Sequence, residues 1–512
     1  MQTLTTILRF RAMLLWVAGF IFLVVIVCAI SAAPQDEWND PRLAPVAAWL
    51  RGYPLYTPES FGIINGNIYP PLGALAFAPA AMFGDPIVAV IVGSMLSLLM
   101  NLSPVVGALI LWSRGLQKSP QATEVMLWGV LYLGLLINIG STRYSPFAIH
   151  VDAPAIALML WGVILYAKWW TTRLPRSMAM SAFFFGSVVW AKQLGVPLPF
   201  VFLMVTFLIG GLRSALVFSA WSLATTAFWL LVLTPIIVDW HTFFFNIWTI
   251  PAGHPWHAQV VGGVAEHIMF YLAEGRVRFV SEYWLLYLLM LIMALVFNVC
   301  AKQSDDTSLH FLFALGASSV IASLAMMPFA LLGLVKVEGA DNNALYSVQP
   351  VLLGLVLGSL TLAEIAKKAG VQWQVVAQSV ICAWVALLCV AVLPGPRNIL
   401  RYPFDIANAP MSTAYKESKS SKVWFPEYPL SSLLATGHLY HFSYGIFDRY
   451  LADKPVSKTQ MWDGFPVPPF KLKSLRYEPD TIPPYLGLTE DTISHAKKDG
   501  PWMEMFVQNL PP

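Results

Sequence analysis

The chain has 512 residues, of which 57% are hydrophobic and only 12% charged, and its mean hydropathy is +0.64. Soluble domains carry roughly a quarter charged residues, so this composition excludes one and describes a polytopic membrane protein. The net charge of +3 comes from Lys and Arg scattered in ones and twos, and the lack of a basic run argues against nucleic acid as a partner.

The first apolar run, 13–33, is longer than a signal-peptide core and reads as a retained span. A helix needs about 20 residues to cross a bilayer. Runs approaching that length fall at 12–33, 86–112, 124–141, 151–170, 178–193, 194–211, 214–238, 283–301, 309–335, 347–366 and 372–393. The expected fold is therefore all-α and transmembrane over 1–393, with about eleven spans. Lys192-Gln193 interrupts the 178–211 region, which reads either as two short helices meeting at a surface or as one broken segment. Cys28, Cys300, Cys382 and Cys389 each sit inside an apolar run and read as small packing residues.

Orientation follows from the basic residues. Arg9, Arg11, Arg114, Lys118, Lys168, Arg173, Arg176, Arg213, Lys302, Lys367 and Lys368 fall at one set of span ends. The positive-inside rule makes that side cytoplasmic, with the N-terminus. The longer loops 34–85, 142–152, 239–282 and 336–346 hold most of the carboxylates and face away from the cytoplasm. After Pro394 the chain becomes polar and rich in Pro and Tyr. Residues 394–512 are expected to form a small extracytoplasmic domain with a helix over 429–438 and extended chain beyond Pro455.

Four constellations carry the candidate chemistry. The first loop opens with Asp36, Glu37 and Asp40, followed by an amphipathic segment over 43–51 and an aromatic turn containing Tyr69. Such acids are either solvated or include a general base beneath an aromatic roof. Asp36 lies closest to the span and is, with Glu37, a candidate catalytic acid, Glu37 being placed also to orient an acceptor or pair with a neighbour; Asp40 before Pro41 suits a cap and is a candidate substrate contact. His150 and Asp152 stand at the mouth of the fourth span, where Asp152 is an N-cap, a substrate contact, or both. Lys192-Gln193 and Lys336 bring cations to the acidic side, either snorkelling or as point-charge partners of a phosphate. The loop KVEGADNNALY supplies Glu338, Asn342 and Asn343, the carboxylates and amides that sugar hydroxyls require. His241, His254, His257 and His267 match no common zinc spacing, so no metal or other cofactor is expected.

Together these residues resemble the GT-C superfamily of polytopic glycosyltransferases. The resemblance rests on Asp36-Glu37, the A-x-x-L-x-x-G-x-x-x-Y-like run over 47–56, the YPPL at 69–72, Asp152, Lys192-Gln193 and the K-x-E-G-A-D-N-N loop. It covers roughly 1–393. His150 stands where many relatives have Arg, and Asn343-Ala344 where Asn-Tyr is frequent. The resemblance implies an inverting transfer of a sugar from a polyprenyl-phosphate donor, with a first-loop acid as base. Glycan, lipid or protein acceptors of the cell envelope and the lipid of the inner membrane would be the partners. A secondary transporter, or an envelope polysaccharide polymerase or ligase of another fold, is the alternative. The first usually shows acids near the midplane, whereas here they stand at the outer boundary; the second would show a late arginine-rich outer loop, which 239–282 matches only weakly through Arg276 and Arg278.

Overall fold

The computed structural model of the chain describes residues 2–115, 122–138, 146–256, 264–301, 307–337, 341–392, 409–420, 422–466, 470–477, 486, 488 and 493–508. In lipid each backbone N–H and C=O must be satisfied within its own segment, so long apolar runs become helices. These are α1 (Gln2–Ala32), the short α2 (Asn39–Trp49), α3 (Pro86–Gly115), α4 (Ala122–Asn138), α5 (Asp152–Thr172) and α6 (Pro175–Ala191). There follow α7 (Pro197–Ile237), α8 (Val264–Ala301), α9 (Thr307–Leu334), α10 (Leu345–Ala369) and α11 (Val371–Val392).

Within the described residues each expected run falls mainly on one of these helices, and 139–141 and 393 lie outside the described residues. Among the described residues, seven segments are long and apolar enough to cross a membrane. The runs 194–211 and 214–238 share α7, which is split where Gly211 takes φ 74°, a value glycine tolerates without strain. Between α6 and α7, Lys192 is extended (φ −152°, ψ 133°), a turn covers Gln193–Gly195, and Pro197 opens the next helix. Of the two readings of this region, the meeting of two helices is the one found. Helices α5 and α10 are buried along most of their length, whereas α7 exposes its apolar side chains outward, as a lipid-facing helix does. Helix α5 packs on α6 and α9, α9 on α10, and α1 on α11.

Beyond the spans lie α12 (Pro410–Ser420), α13 (Pro429–Thr436), α14 (Ser443–Leu451) and α15 (Lys458–Asp463). With them is a four-stranded sheet of β1 (Val423–Trp424), β2 (Phe470–Ser474), β3 (Ile493–Asp499) and β4 (Trp502–Val507). The strand order is β1-β2-β4-β3, parallel at β1/β2 and antiparallel elsewhere. Helix α13 is the expected one, ending at Gly437 in the left-handed region. The extended chain expected past Pro455 is instead largely α15 and strands. Alternation in FKLKS and WMEMFV puts Phe470, Leu472, Met505 and Val507 on one face against Trp424, while the prolines fall between strands.

This region is fastened to the first loop. Asp40 is fully buried and accepts from Leu430 N (2.8 Å), Ser431 N (3.0 Å) and Ser431 Oγ (2.6 Å), so it caps α13. The expectation that Asp40 meets substrate is corrected: its carboxylate is consumed by a helix start about 390 residues away. The Arg449 guanidinium donates to the carbonyls of Thr57 (3.1 Å), Pro58 (2.8 Å) and Glu59 (3.0 Å). His441 Nδ1 accepts from Ile64 N at 3.1 Å. Gly445 lies so close to Gly66 that a Cβ there would stand 2.7 Å from the Gly66 Cα. Loop and C-terminal region thus make one roof.

Candidate active site

Beneath this roof is a cavity of about 1540 Å³, bounded by the helix ends. Its first wall is set by how α1 stops. Pro34 and the turn Ala33–Gln35 end the helix, and Asp36 follows in extended conformation. Asp36 Oδ1 accepts from Trp38 N at 3.0 Å, a local turn typical of Asp. The other oxygen makes no hydrogen bond among the described residues, and Asp36 lines the cavity. Asn39 holds this corner in register, donating to Ala33 O (3.0 Å) and accepting from Ile149 N (2.9 Å). Glu37 points away from the cavity and pairs with Arg476 of the C-terminal region.

Asp152 is the hub of the opposite wall. Its Oδ1 accepts from Lys192 Nζ (2.6 Å) and Tyr346 Oη (2.9 Å), and its Oδ2 from His150 Nδ1 (2.5 Å) and Asn342 Nδ2 (2.7 Å). Four donors fill both oxygens, so this carboxylate is a brace and not an open base. Lys192 is buried; its ammonium also reaches Asn343 Oδ1 at 3.4 Å and lies over the Tyr69 and Tyr346 rings. Burial holds the His150 imidazole down at about 4, although Asp152 pulls the other way. Tyr69 stands edge-on to His150, with ring centroids 5.6 Å apart.

The remaining expected residues close the sides. Gln193 Nε2 donates to Ile68 O (3.3 Å) and Ile247 O (3.1 Å), tying the helix break to two loops. Lys336 donates to Pro251 O and to Ala252 O (3.2 Å), and burial lowers its pKa. Asn343 also donates to Gly333 O at 3.2 Å. Glu338 lies outside the described residues, as do parts of the loops 142–152, 239–282 and 336–346.

Sequence reasoning passed over Arg42. It sits one turn into α2, half-buried, and lines the cavity. Its guanidinium makes no hydrogen bond or ion pair among the described residues and lies 5.3 Å from the Trp38 ring centroid. Burial lowers its pKa, while Asp36, Tyr69 and Asp152 favour its charge. Tyr444 and Asp448 of α14 were passed over too, since nothing in the sequence signals that the C-terminal region reaches the cavity. Asp448 Oδ1 is 3.5 Å from His254 Nε2.

No family model matches the chain, and no curated protein is similar to it in sequence. Solved structures similar in fold include two of one protein. The crystal structure of ArnT from Cupriavidus metallidurans bound to undecaprenyl phosphate aligns with a TM-score of 0.54 and 13% identity. The match covers 96% of this chain and 98% of that one. The same protein in the apo state gives 0.51 and 14%, covering 95% and 98%. The chain shares its fold with that protein. The match extends over nearly the whole chain, so the likeness in fold is wider than the 1–393 over which the sequence resemblance runs.

Proposed function

We propose that this multi-pass membrane protein is an inverting glycosyltransferase that takes a sugar from a polyprenyl-phosphate donor. The acceptor is an envelope glycan, lipid or protein. The observation that carries the reading is Arg42, a guanidinium without a hydrogen-bonding partner among the described residues, in the same cavity as the half-open carboxylate of Asp36. A planar cation with unused donors suits a phosphate. Lys192 and Lys336 suit it less, since one is spent on Asp152 and the other on carbonyls.

In this reading Asp36 takes the acceptor's hydroxyl proton as the oxygen bonds to the anomeric carbon. The bond from that carbon to the phosphate oxygen breaks, and its electron pair leaves with the phosphate, which Arg42 stabilises. Asn342 and Asn343 brace the wall beside the sugar, with Tyr69 as an apolar face. The ArnT structure holding undecaprenyl phosphate supports the donor class through its fold. The distribution of Lys and Arg supports a cytoplasmic N-terminus in the inner membrane, with the cavity and residues 394–512 on the outer side.

The test is turnover by the purified protein with lipid-extract donors, read as release of polyprenyl phosphate. Release that depends on Asp36 is the expected result. A folded protein that binds polyprenyl phosphate and never releases it from any linked sugar would sink the reading.

A further inference from the structure

Among the described residues the Arg42 guanidinium makes no hydrogen bond, so its most directional neighbour there is the indole of Trp38 at 5.3 Å. That indole is itself held from the C-terminal region. The Tyr444 ring centroid is 4.3 Å away, and the Arg476 guanidinium lies 5.3 Å from the Trp38 centroid and 4.8 Å from that of Tyr444. Glu37, next to Trp38 in sequence, then pairs with Arg476 and closes the group. Two cations therefore share the Trp38 ring, and one of them, Arg476, also stands over Tyr444: Arg42 lines the cavity, while Arg476 is outside its lining and one-third exposed. The Tyr444 hydroxyl is buried with no hydrogen bond among the described residues, so its ring contributes to the group by packing.

We propose that Trp38, Tyr444, Arg476 and Glu37 form a positioning platform that fixes Arg42 for an anionic lipid phosphate. The C-terminal region thereby sets the affinity of a phosphate site through a cation, Arg476, that lies outside the cavity's lining. This rests on the reading of Arg42 as a phosphate ligand. It also gives Glu37 a role: the carboxylate keeps Arg476 against the rings and does not handle the acceptor's proton.

Simple electrostatics and positioning predict opposite signs for one variant, which makes the idea testable. Glu37→Gln removes a negative charge near the cavity, and a field effect alone would tighten phosphate binding. Loss of the platform would weaken it. The full-length protein in nanodiscs is titrated with undecaprenyl phosphate, and with undecaprenol as the uncharged control. Cation–π contacts correspond to about three- to tenfold in affinity. Glu37→Gln and Trp38→Leu should each weaken undecaprenyl phosphate by about that factor, leave undecaprenol unchanged, and keep the melting temperature of the membrane part. Trp38→Phe should restore most of the loss. If Arg42→Met loses phosphate binding while Glu37→Gln binds as tightly as wild type or tighter, the platform is wrong and the Arg42 reading stands. If wild type does not prefer the phosphate over the alcohol, both are wrong.

Discussion

Lys192 sets its ammonium 2.6 Å from the carboxylate of Asp152, and both residues are buried. The cation that the sequence offers to a phosphate therefore faces the cavity already neutralised. Removing one partner of a buried pair strands the other, at about 3–5 kcal/mol. Lys192→Met should lower the melting temperature of the purified protein, and adding Asp152→Asn should cost less than the two single effects summed. Its effect on polyprenyl-phosphate binding should be smaller than that of Arg42→Met. An unchanged melting temperature in Lys192→Met would show that the pair is not structural.

Asp36→Asn keeps the shape of the corner and removes the proton acceptor. General-base catalysis contributes about 10²–10⁴-fold, so turnover should fall by that order while lipid-phosphate binding stays within about twofold of wild type. Glu37→Gln should cost less. Single-turnover rates on matched protein decide it, and near-normal transfer by Asp36→Asn would remove the base from this residue.

Asp40→Ala withdraws the acceptor from two backbone N–H groups and a hydroxyl at the start of α13. Loss of a helix cap costs about 0.5–2 kcal/mol. Limited proteolysis should release the C-terminal region faster from this variant, with the membrane helices left protected. Equal cleavage rates would count against Asp40 as the fastening.

His150 carries a pH signature. Burial holds its imidazole at about 4 in the folded protein, against 6.5 for an ordinary histidine. Between these values the unfolded chain binds the extra proton, so stability falls as pH drops from about 6.5 to 4. His150→Gln should flatten the dependence of melting temperature on pH across that window. A variant with the wild-type slope would place the titration elsewhere.

Topology is testable separately. A reporter that is active only outside the cytoplasm, fused after Pro512, should be active, and one fused after Lys118 should be silent. The reverse pattern would turn the cavity to the cytoplasm and undo the donor assignment.

The helices were legible because lipid leaves the backbone few alternatives: each apolar run named from the sequence falls on a helix, and charged Lys192 marks the break between α6 and α7. The cavity corner at Asp36 was legible from its place beside the first span. What the sequence hid is what depends on distant partners. Asp40 reads locally as the cap of its own segment, yet its donors are Leu430 and Ser431. Arg42 looks like one more basic residue on an amphipathic turn until its lack of a hydrogen-bonding partner is seen. Tyr346 gave no signal because an apolar helix start does not disclose that its hydroxyl will meet Asp152. The sheet past Pro455 was masked by prolines that sit between its strands.

The hold of Arg449 on the carbonyls of Thr57, Pro58 and Glu59 also fixes an order of assembly. The first loop is synthesised before nearly all of the helices, but its backbone acceptors wait for a guanidinium 392 residues downstream of Thr57. Closing so long a loop adds little to the equilibrium cost, because that cost grows only with the logarithm of length, but it makes the step slow. The ceiling of the cavity is therefore finished last, after the helix bundle that supports it. A nascent chain in the membrane carries Asp36 and Arg42 long before it has the enclosure in which they can work together.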